Sequence, residues 1–206
     1  PELTKQYEAG VDFTLWKDRV NASVTYFHSQ TSNQTIATGT SWASGFSSLL
    51  TNVGVTQSEG VETNLRVTAF KNQDWNVTVG GNYTYLNNSV ISITPLVPAI
   101  TLATSGTAAS QVFAGKAFPV ITGYDYVRDP KGHVIVDGTT GLPTQSSNIS
   151  ILGNATPKHI LGMNASASYK NFSFSFLFEY RGGYSVFNGI GTEMDWSGTS
   201  YRSGLY

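Results

Sequence analysis

Charged side chains are so scarce in this sequence that each one is a candidate for chemistry. Asp, Glu, Lys and Arg make up 12% of 206 residues, about half the share carried by a typical soluble domain. Glu62 and Arg66 stand four apart, and Glu179 and Arg181 two apart, so each couple falls on one side of an extended chain. Such groups can pair with a neighbouring strand or meet a bound molecule; a share in a structural hydrogen-bond network is the preferred reading. Nucleophilic catalysis would need a base and an orienting group beside a serine, and paired-carboxylate hydrolysis two acids at a set distance. The sequence shows neither pattern, so no catalytic residue is assigned and the chain reads as a non-enzyme.

Asp125, Asp129 and Asp137 gather around an Asp-Pro-Lys-Gly run. Three carboxylates without EF-hand spacing make a poor calcium site, and a β-turn between short strands is the better reading. His28, His133 and His159 lie far apart with no second ligand at metal spacing, which leaves them as surface or interface residues. No metal or cofactor is expected. Asn-x-Ser/Thr triplets at Asn21, Asn76, Asn82, Asn164 and Asn171 have the form of glycosylation acceptors. Residues two apart share a strand face, however, so a strand side lined with Asn, Ser and Thr generates the triplets by itself. Trp42, Phe46, Tyr124, Tyr126 and Trp196 sit where loops are expected and could stack on sugar faces, though rings that merely pack a loop are commoner.

Composition excludes several classes. The formal net charge is −1 with no basic stripe, so the electrostatic footprint of a nucleic-acid binder is missing. There are no cysteines, which removes disulfides, thiolate zinc sites and thiol catalysis. No run approaches the roughly 18 apolar residues of a spanning helix, and the first residues show no signal-peptide pattern. Aromatics at 13% and 21 glycines fit many strands joined by tight turns.

The elements that position these residues are strands of period two. Tyr7, Ala9, Val11, Phe13 and Leu15 alternate with Gln6, Glu8, Gly10, Asp12 and Thr14. After a turn at Lys17-Asp18, Val20, Ala22, Val24 and Tyr26 continue one face, with Phe27 the single breach. A second hairpin sets Val61, Thr63, Leu65 and Val67 beside Val77, Val79, Gly81, Tyr83 and Tyr85 around a Lys71–Asp74 turn. A third sets Leu161, Met163, Ala165 and Ala167 beside Phe172, Phe174, Phe176, Phe178 and Tyr180, turning at Lys170-Asn171. Strands are thus predicted near 5–16, 19–29, 59–70, 75–87, 159–169 and 172–182, and long loops over 30–51, 88–157 and 183–206.

All three hairpins have one short end and one long end. That asymmetry, with strands of about 10 residues covering about 25 Å of apolar height, predicts an all-β fold: an antiparallel transmembrane β-barrel fragment with short periplasmic turns and long extracellular loops. Trp16, Phe70, Trp75, Tyr169 and Phe172 fall beside the short turns, and Tyr7, Tyr26, Tyr83, Tyr85 and Tyr180 towards the long loops, as two interfacial girdles would. Outer-membrane lipid is then the partner of the apolar face, and Glu62, Arg66, Glu179 and Arg181 are lumen charges. Six strands are fewer than the eight of the smallest bacterial barrels, so the chain is expected to be part of a larger one.

Short motifs in order point to a family. They are Pro1-Glu2-Leu3-Thr4, Tyr7-Glu8-Ala9-Gly10-Val11-Asp12, Arg19, Asn52-Val53-Gly54 and Gly60-Val61-Glu62. Gly115 with Pro119, Gly123-Tyr124, Leu152-Gly153 with Pro157, Tyr169 with Phe172, and Gly182-Gly183 follow. Together they resemble the C-terminal part of the barrel in SusC/RagA TonB-dependent outer-membrane transporters. The stretch from Val90 to Ser110 matches no family pattern, and Asn154-Ala155-Thr156 stands where the family often has an acid. The resemblance implies location in the bacterial outer membrane, an N-terminal plug, a TonB complex reached through N-terminal regions, a SusD-like surface lipoprotein, and import of oligosaccharide or peptide cargo. Two rivals share parts of this pattern: a passive outer-membrane porin, and a soluble secreted β-sandwich of adhesin or lectin type, which would pack Leu65, Val77, Phe174 and Phe176 against a second sheet.

Overall fold

A computed structural model describes residues 1–39, 43, 45–46, 48–95 and 98–204. Six antiparallel strands form one sheet: β1 (Leu3–Leu15), β2 (Val20–Gly39), β3 (Ser48–Lys71), β4 (Trp75–Ile93), β9 (His159–Tyr169) and β10 (Phe172–Gly182), in that spatial order. Four shorter strands, β5 (Ile100–Ser105), β6 (Ala108–Val112), β7 (Val120–Tyr126) and β8 (Gln145–Asn154), make a second sheet in the excursion between β4 and β9.

The register carries the alternating apolar positions of the six strands to one side, with Phe27 and Leu177 on the other. Phe13, Ala22, Leu65, Gly81, Met163 and Phe178 face one another in turn across the six strands. One row along, Leu15, Val20, Val67, Val79, Ala165 and Phe176 do the same. Because strand side chains alternate with period two, a slip of one residue in any pair would throw a greasy strand face to the polar side. Among the described residues no protein layer covers this apolar face: Phe174 is 70% exposed, Phe176 54% and Leu65 47%. A sandwich would have buried these same side chains, so that reading is set aside. From Phe172 to Tyr180 is about 26 Å along the strand, or about 20 Å of height at a 40° tilt, to which the rings at either end add several Å.

The strands are longer than the alternation announced, and the loop expected over 30–51 is corrected by them. β2 runs to Gly39 and β3 starts at Ser48, with Gln34 to Gly39 paired to Ser48 to Gly54 beyond an irregularity near Gln34. At 24 residues β3 is about 80 Å long, more than twice the roughly 10 residues a tilted strand needs to cross a bilayer. The extension was invisible because a ribbon outside the apolar layer has water on both faces and needs no alternation; Thr, Ser, Gln and Asn serve equally on either side. Above Tyr26 and Tyr85 the outer face turns polar, with Tyr7, His28, Glu59 and Asn87 in one row. There the Asn87 amide donates to Glu59 Oε1 at 3.1 Å, and His28 Nδ1 stands 3.7 Å from Glu59 Oε2.

The loop expected over 88–157 is likewise corrected: β4 continues to Ile93 and the four-stranded sheet follows. Its small core joins Val90, Ile100 and Val112, packed by Ile93 and Phe118. The segment 183–206 is not a bare loop either, since it holds α1 (Gly189–Trp196), capped by the Asn188 carboxamide, which accepts the Gly191 N–H at 3.0 Å. At the short ends, the first turn spans residues 16–19 rather than two residues, with Leu15 and Val20 as its last pair and Trp16, Lys17 and Asp18 all at positive φ. Lys170-Asn171 is a two-residue turn closed by Tyr169 and Phe172.

Candidate functional site

The second face of the large sheet is the candidate site. Asp12, Ser23, Asn64, Asn82, Gly162 and Glu179 lie in register across it, and beside them run Thr14, Asn21, Arg66, Gly80, Asn164 and Leu177. Glycine and asparagine interlock here. Asn164 faces Gly80 and Asn82 faces Gly162 on the paired strands β4 and β9. A Cβ on Gly80 would stand 2.8 Å from the Asn164 Oδ1, and one on Gly162 would run into the Asn82 amide. The carboxamides therefore lie flat on the opposite backbone; a recess of about 370 Å³ lies between Arg66 and Asn164, and another of about 360 Å³ lies on the other side of Arg66, over β1 and β2. A wall of this kind offers neutral donors and acceptors at close spacing, suited to polar solutes passing without strong retention.

All four expected lumen charges lie on this face, but they do not pair as couples across strands. Arg181 Nε donates to Glu179 Oε1 at 2.6 Å within β10. Among the described residues, Glu62 and Arg66 make no ion pair, although Arg66 stands opposite Gly80 and Asn21. Nearer the long-loop end the face becomes apolar where Phe27 lies over Gly60, a glycine with room for no Cβ because the Phe27 Cζ would be 2.8 Å away. The breach in alternation at Phe27 is thus the ring that fills a glycine notch, and it accounts for the glycine of the Gly60-Val61-Glu62 motif.

The excursion stands on the same side as this polar face. Leu86, Asn88 and Val90 continue the alternation of Asn82 and Thr84, and Val90 is buried against Ile100 and Val112. Beyond the start of β9, residues 115–118 take its place along β4: Val90 donates to the Lys116 carbonyl at 2.9 Å, and Gly115 to the Val90 carbonyl at 2.8 Å. The Phe118 N–H donates to the Asn88 carbonyl at 3.2 Å, so the sheet edge is satisfied. An apolar cavity of about 230 Å³ lies within the excursion, lined by Ala103, Ala108, Ala109, Ile121, Ala155 and Phe187, away from the charged residues.

The acidic run is a set of turn caps. The Asp129 carboxylate accepts from the His133 N–H (2.8 Å), His133 Nδ1 (3.0 Å) and the Lys131 N–H (2.9 Å). Asp137 accepts from the Thr140 N–H (2.8 Å), the Thr140 hydroxyl (3.0 Å) and the Thr139 N–H (3.0 Å). These donors hold both carboxyls below their ordinary range, led by the His133 backbone for Asp129 and the Thr140 backbone for Asp137. Asp125 is lowered first by the Tyr126 N–H. His159, without a sequence signal for its role, accepts or shares a proton with the Tyr83 hydroxyl at 2.8 Å and leans on Tyr85, so it belongs to the upper ring of aromatics.

Of the expected aromatic contacts, Trp42 lies outside the described residues. Phe46 is 71% exposed and Trp196, at the end of α1, 87%. Tyr124 and Tyr126 are on strand β7, two apart and so on one side of it, rather than in a loop. Among the described residues, no ring contact joins Tyr124, Tyr126 and Trp196 to one another.

The sequence matches the family described as TonB dependent receptor-like, beta-barrel, over residues 1–205. The chain belongs to that family. TonB-dependent receptor P26 of Formosa agariphila is 23% identical over 91% of this chain and 21% of its own length. TonB-dependent receptor P3 of the same organism is 22% identical over the same shares. The chain thus spans about a fifth of the length of these curated relatives. Among solved structures, the RagAB peptide transporter superposes with a TM-score of 0.70 at 23% identity, covering 88% of this chain and 21% of that one. The RagAB peptide importer in its closed-closed state gives 0.67. The TonB-dependent receptor barrel wall explains the uncovered apolar face: it is the surface turned to the hydrocarbon of the membrane, and the Asn-rich face is turned to the lumen. The sheet described here is an open segment of that wall, with β1 and β10 at its two edges. Family members are receptors and transporters of the outer membrane, a role that a face of amides and hydroxyls fits.

Proposed function

We propose that this chain forms part of an outer-membrane importer that carries oligosaccharides or peptides, takes its energy through TonB and works with a SusD-like surface lipoprotein. The observation that carries the reading is the largely uncharged polar face that runs in register across six strands, with a folded excursion anchored on its lumen side at Val90. Hydroxyls and amides at that spacing match the hydrogen-bonding groups of sugars and peptide bonds alike. RagAB, whose structures are similar in fold, is a peptide importer, which favours peptides within this pair. The excursion stands where cargo would enter, and Tyr124, Tyr126 and Trp196 are exposed on that side for contact with cargo or lipoprotein. Glu62, Arg66, Glu179 and Arg181 line the path below.

A deletion strain tests this directly. Loss of the full-length gene is expected to abolish growth on a peptide or oligosaccharide mixture as sole source, and a strain without TonB should show the same loss. Uptake that persists without TonB would instead mark a passive porin and overturn the energised reading.

A further inference from the structure

At the short-turn end, the outward face of the β4–β9 pair carries three hydrogen-bond donors gathered around one ring. Trp75 and Tyr169 face each other across the two strands, with ring centroids 4.5 Å apart at 33°. The Lys170 ammonium lies 5.3 Å from the centroid of the Tyr169 ring, and Phe172, 79% exposed, flanks Tyr169 on β10. The turn that places Lys170 is fixed, because its N–H donates to the Asp74 carbonyl at 2.9 Å and Asn72 Oδ1 accepts from the Asp74 and Trp75 N–H groups at 2.9 and 2.7 Å.

Among the described residues, the Trp75 indole N–H, the Tyr169 hydroxyl and the Lys170 ammonium have no hydrogen-bond acceptor, and Lys170 has no ion-pair partner. No further wall strand can supply one. β4 and β9 lie inside the sheet, with β3 and β10 already beside them, so the approaches left to an acceptor are the water at the turn and the outward, membrane-facing side. At the height of the aromatic girdle that side presents lipid headgroups, and the complementary group there is a phosphate: anionic, and rich in acceptor oxygens for an ammonium, a phenol and an indole together.

We propose that Trp75, Tyr169 and Lys170 form a seat for the phosphate of an anionic glycerophospholipid in the leaflet on the short-turn side. The site rests on the membrane-spanning fold and is independent of the cargo reading. Lys170 supplies the charge, held over the ring by cation–π attraction; Tyr169 and Trp75 supply neutral donors; and Phe172 borders the acyl chains.

Native mass spectrometry of the full-length protein, released from detergent with added phosphatidylglycerol or with diacylglycerol of the same chains, tests the seat. The wild type should retain phosphatidylglycerol preferentially. Lys170→Gln should weaken that preference about five-fold, the value of one lysine at a charged lipid surface, and adding Tyr169→Phe should weaken it further. Lys131→Gln, in the excursion, should change nothing. Equal retention of both lipids by the wild type, or unchanged preference in Lys170→Gln and in the double variant, overturns the proposal. Transport is expected to continue in these variants, and absence of import by the wild type would strike the functional reading while leaving this one standing.

Discussion

Phe176 and Leu177 are neighbours in sequence with opposite fates. Phe176 shares the lipid-facing row with Ala165 and Val79, whereas Leu177 lies beside Asn164 on the polar side and is 76% exposed. Phe176→Arg is therefore expected to destabilise the inserted barrel by about 2–4 kcal/mol, and Leu177→Arg to change it little, as read by denaturant unfolding of the full-length protein in lipid vesicles. Glycines divide in the same way. A Cβ at Gly60 would collide with the Tyr85 carbonyl and the Phe27 ring, whereas Gly138 has open space around it and no positive φ. Gly60→Ala should cost about 1–3 kcal/mol in that assay and Gly138→Ala close to nothing.

At the scale of the element, the hairpin over residues 127–144 is held by turn caps rather than by a core. Val127 and Ile135 pair through a backbone hydrogen bond at 2.9 Å, and Asp129 and Asp137 collect the donors of the two turns. Both carboxyls are more acidic in the folded hairpin than in an unfolded chain. The stability they contribute is present above about pH 4, the ordinary value for an aspartate, and is lost as pH falls through the lower folded values. Hydrogen exchange across 127–144, corrected for intrinsic rates, should be unchanged from pH 7 to about pH 4.5 and rise below about pH 4. Asp137→Asn keeps an acceptor but loses the charge, and should raise exchange there already at pH 7. A similar logic of satisfied backbone explains residues 115–118, which cover the part of β4 that β9 does not reach.

For the whole molecule, solvent decides what is inside. Among the described residues, the buried core is a handful of side chains in the excursion with Val90 of β4 beneath them, and the large sheet has apolar side chains on an uncovered face. The wall is stable because hydrocarbon stands where a second protein layer would otherwise be required, with girdle rings at both interfaces. Expressed alone in water, residues 1–206 should aggregate, and the same chain in detergent should recover strand structure; a monodisperse monomer by light scattering without detergent would contradict this account. The edges β1 and β10 carry the same consequence, since unpaired backbone groups in hydrocarbon cost several kcal/mol each.

Six strands, their faces and their short turns were legible because lipid on one side and lumen on the other impose period two on every residue between them. The family could also be read from ordered motifs, one of which, Gly60-Val61-Glu62, has its physical reason in the ring of Phe27 lying over Gly60. Only the tertiary structure decided the rest. Where both faces meet water, as in the upper arms of β2 and β3, no hydrophobic period marks a strand, and pairing alone reveals it. Where the chain doubles back over its own wall, as at Val90, burial depends on partners 10 to 22 residues away, Ile100 and Val112, that no local pattern specifies. The contacts of Trp75 with Tyr169, and of Tyr83 with His159, are of that kind too: they join strands separated by a long excursion, and register between hairpins is set by the assembled sheet.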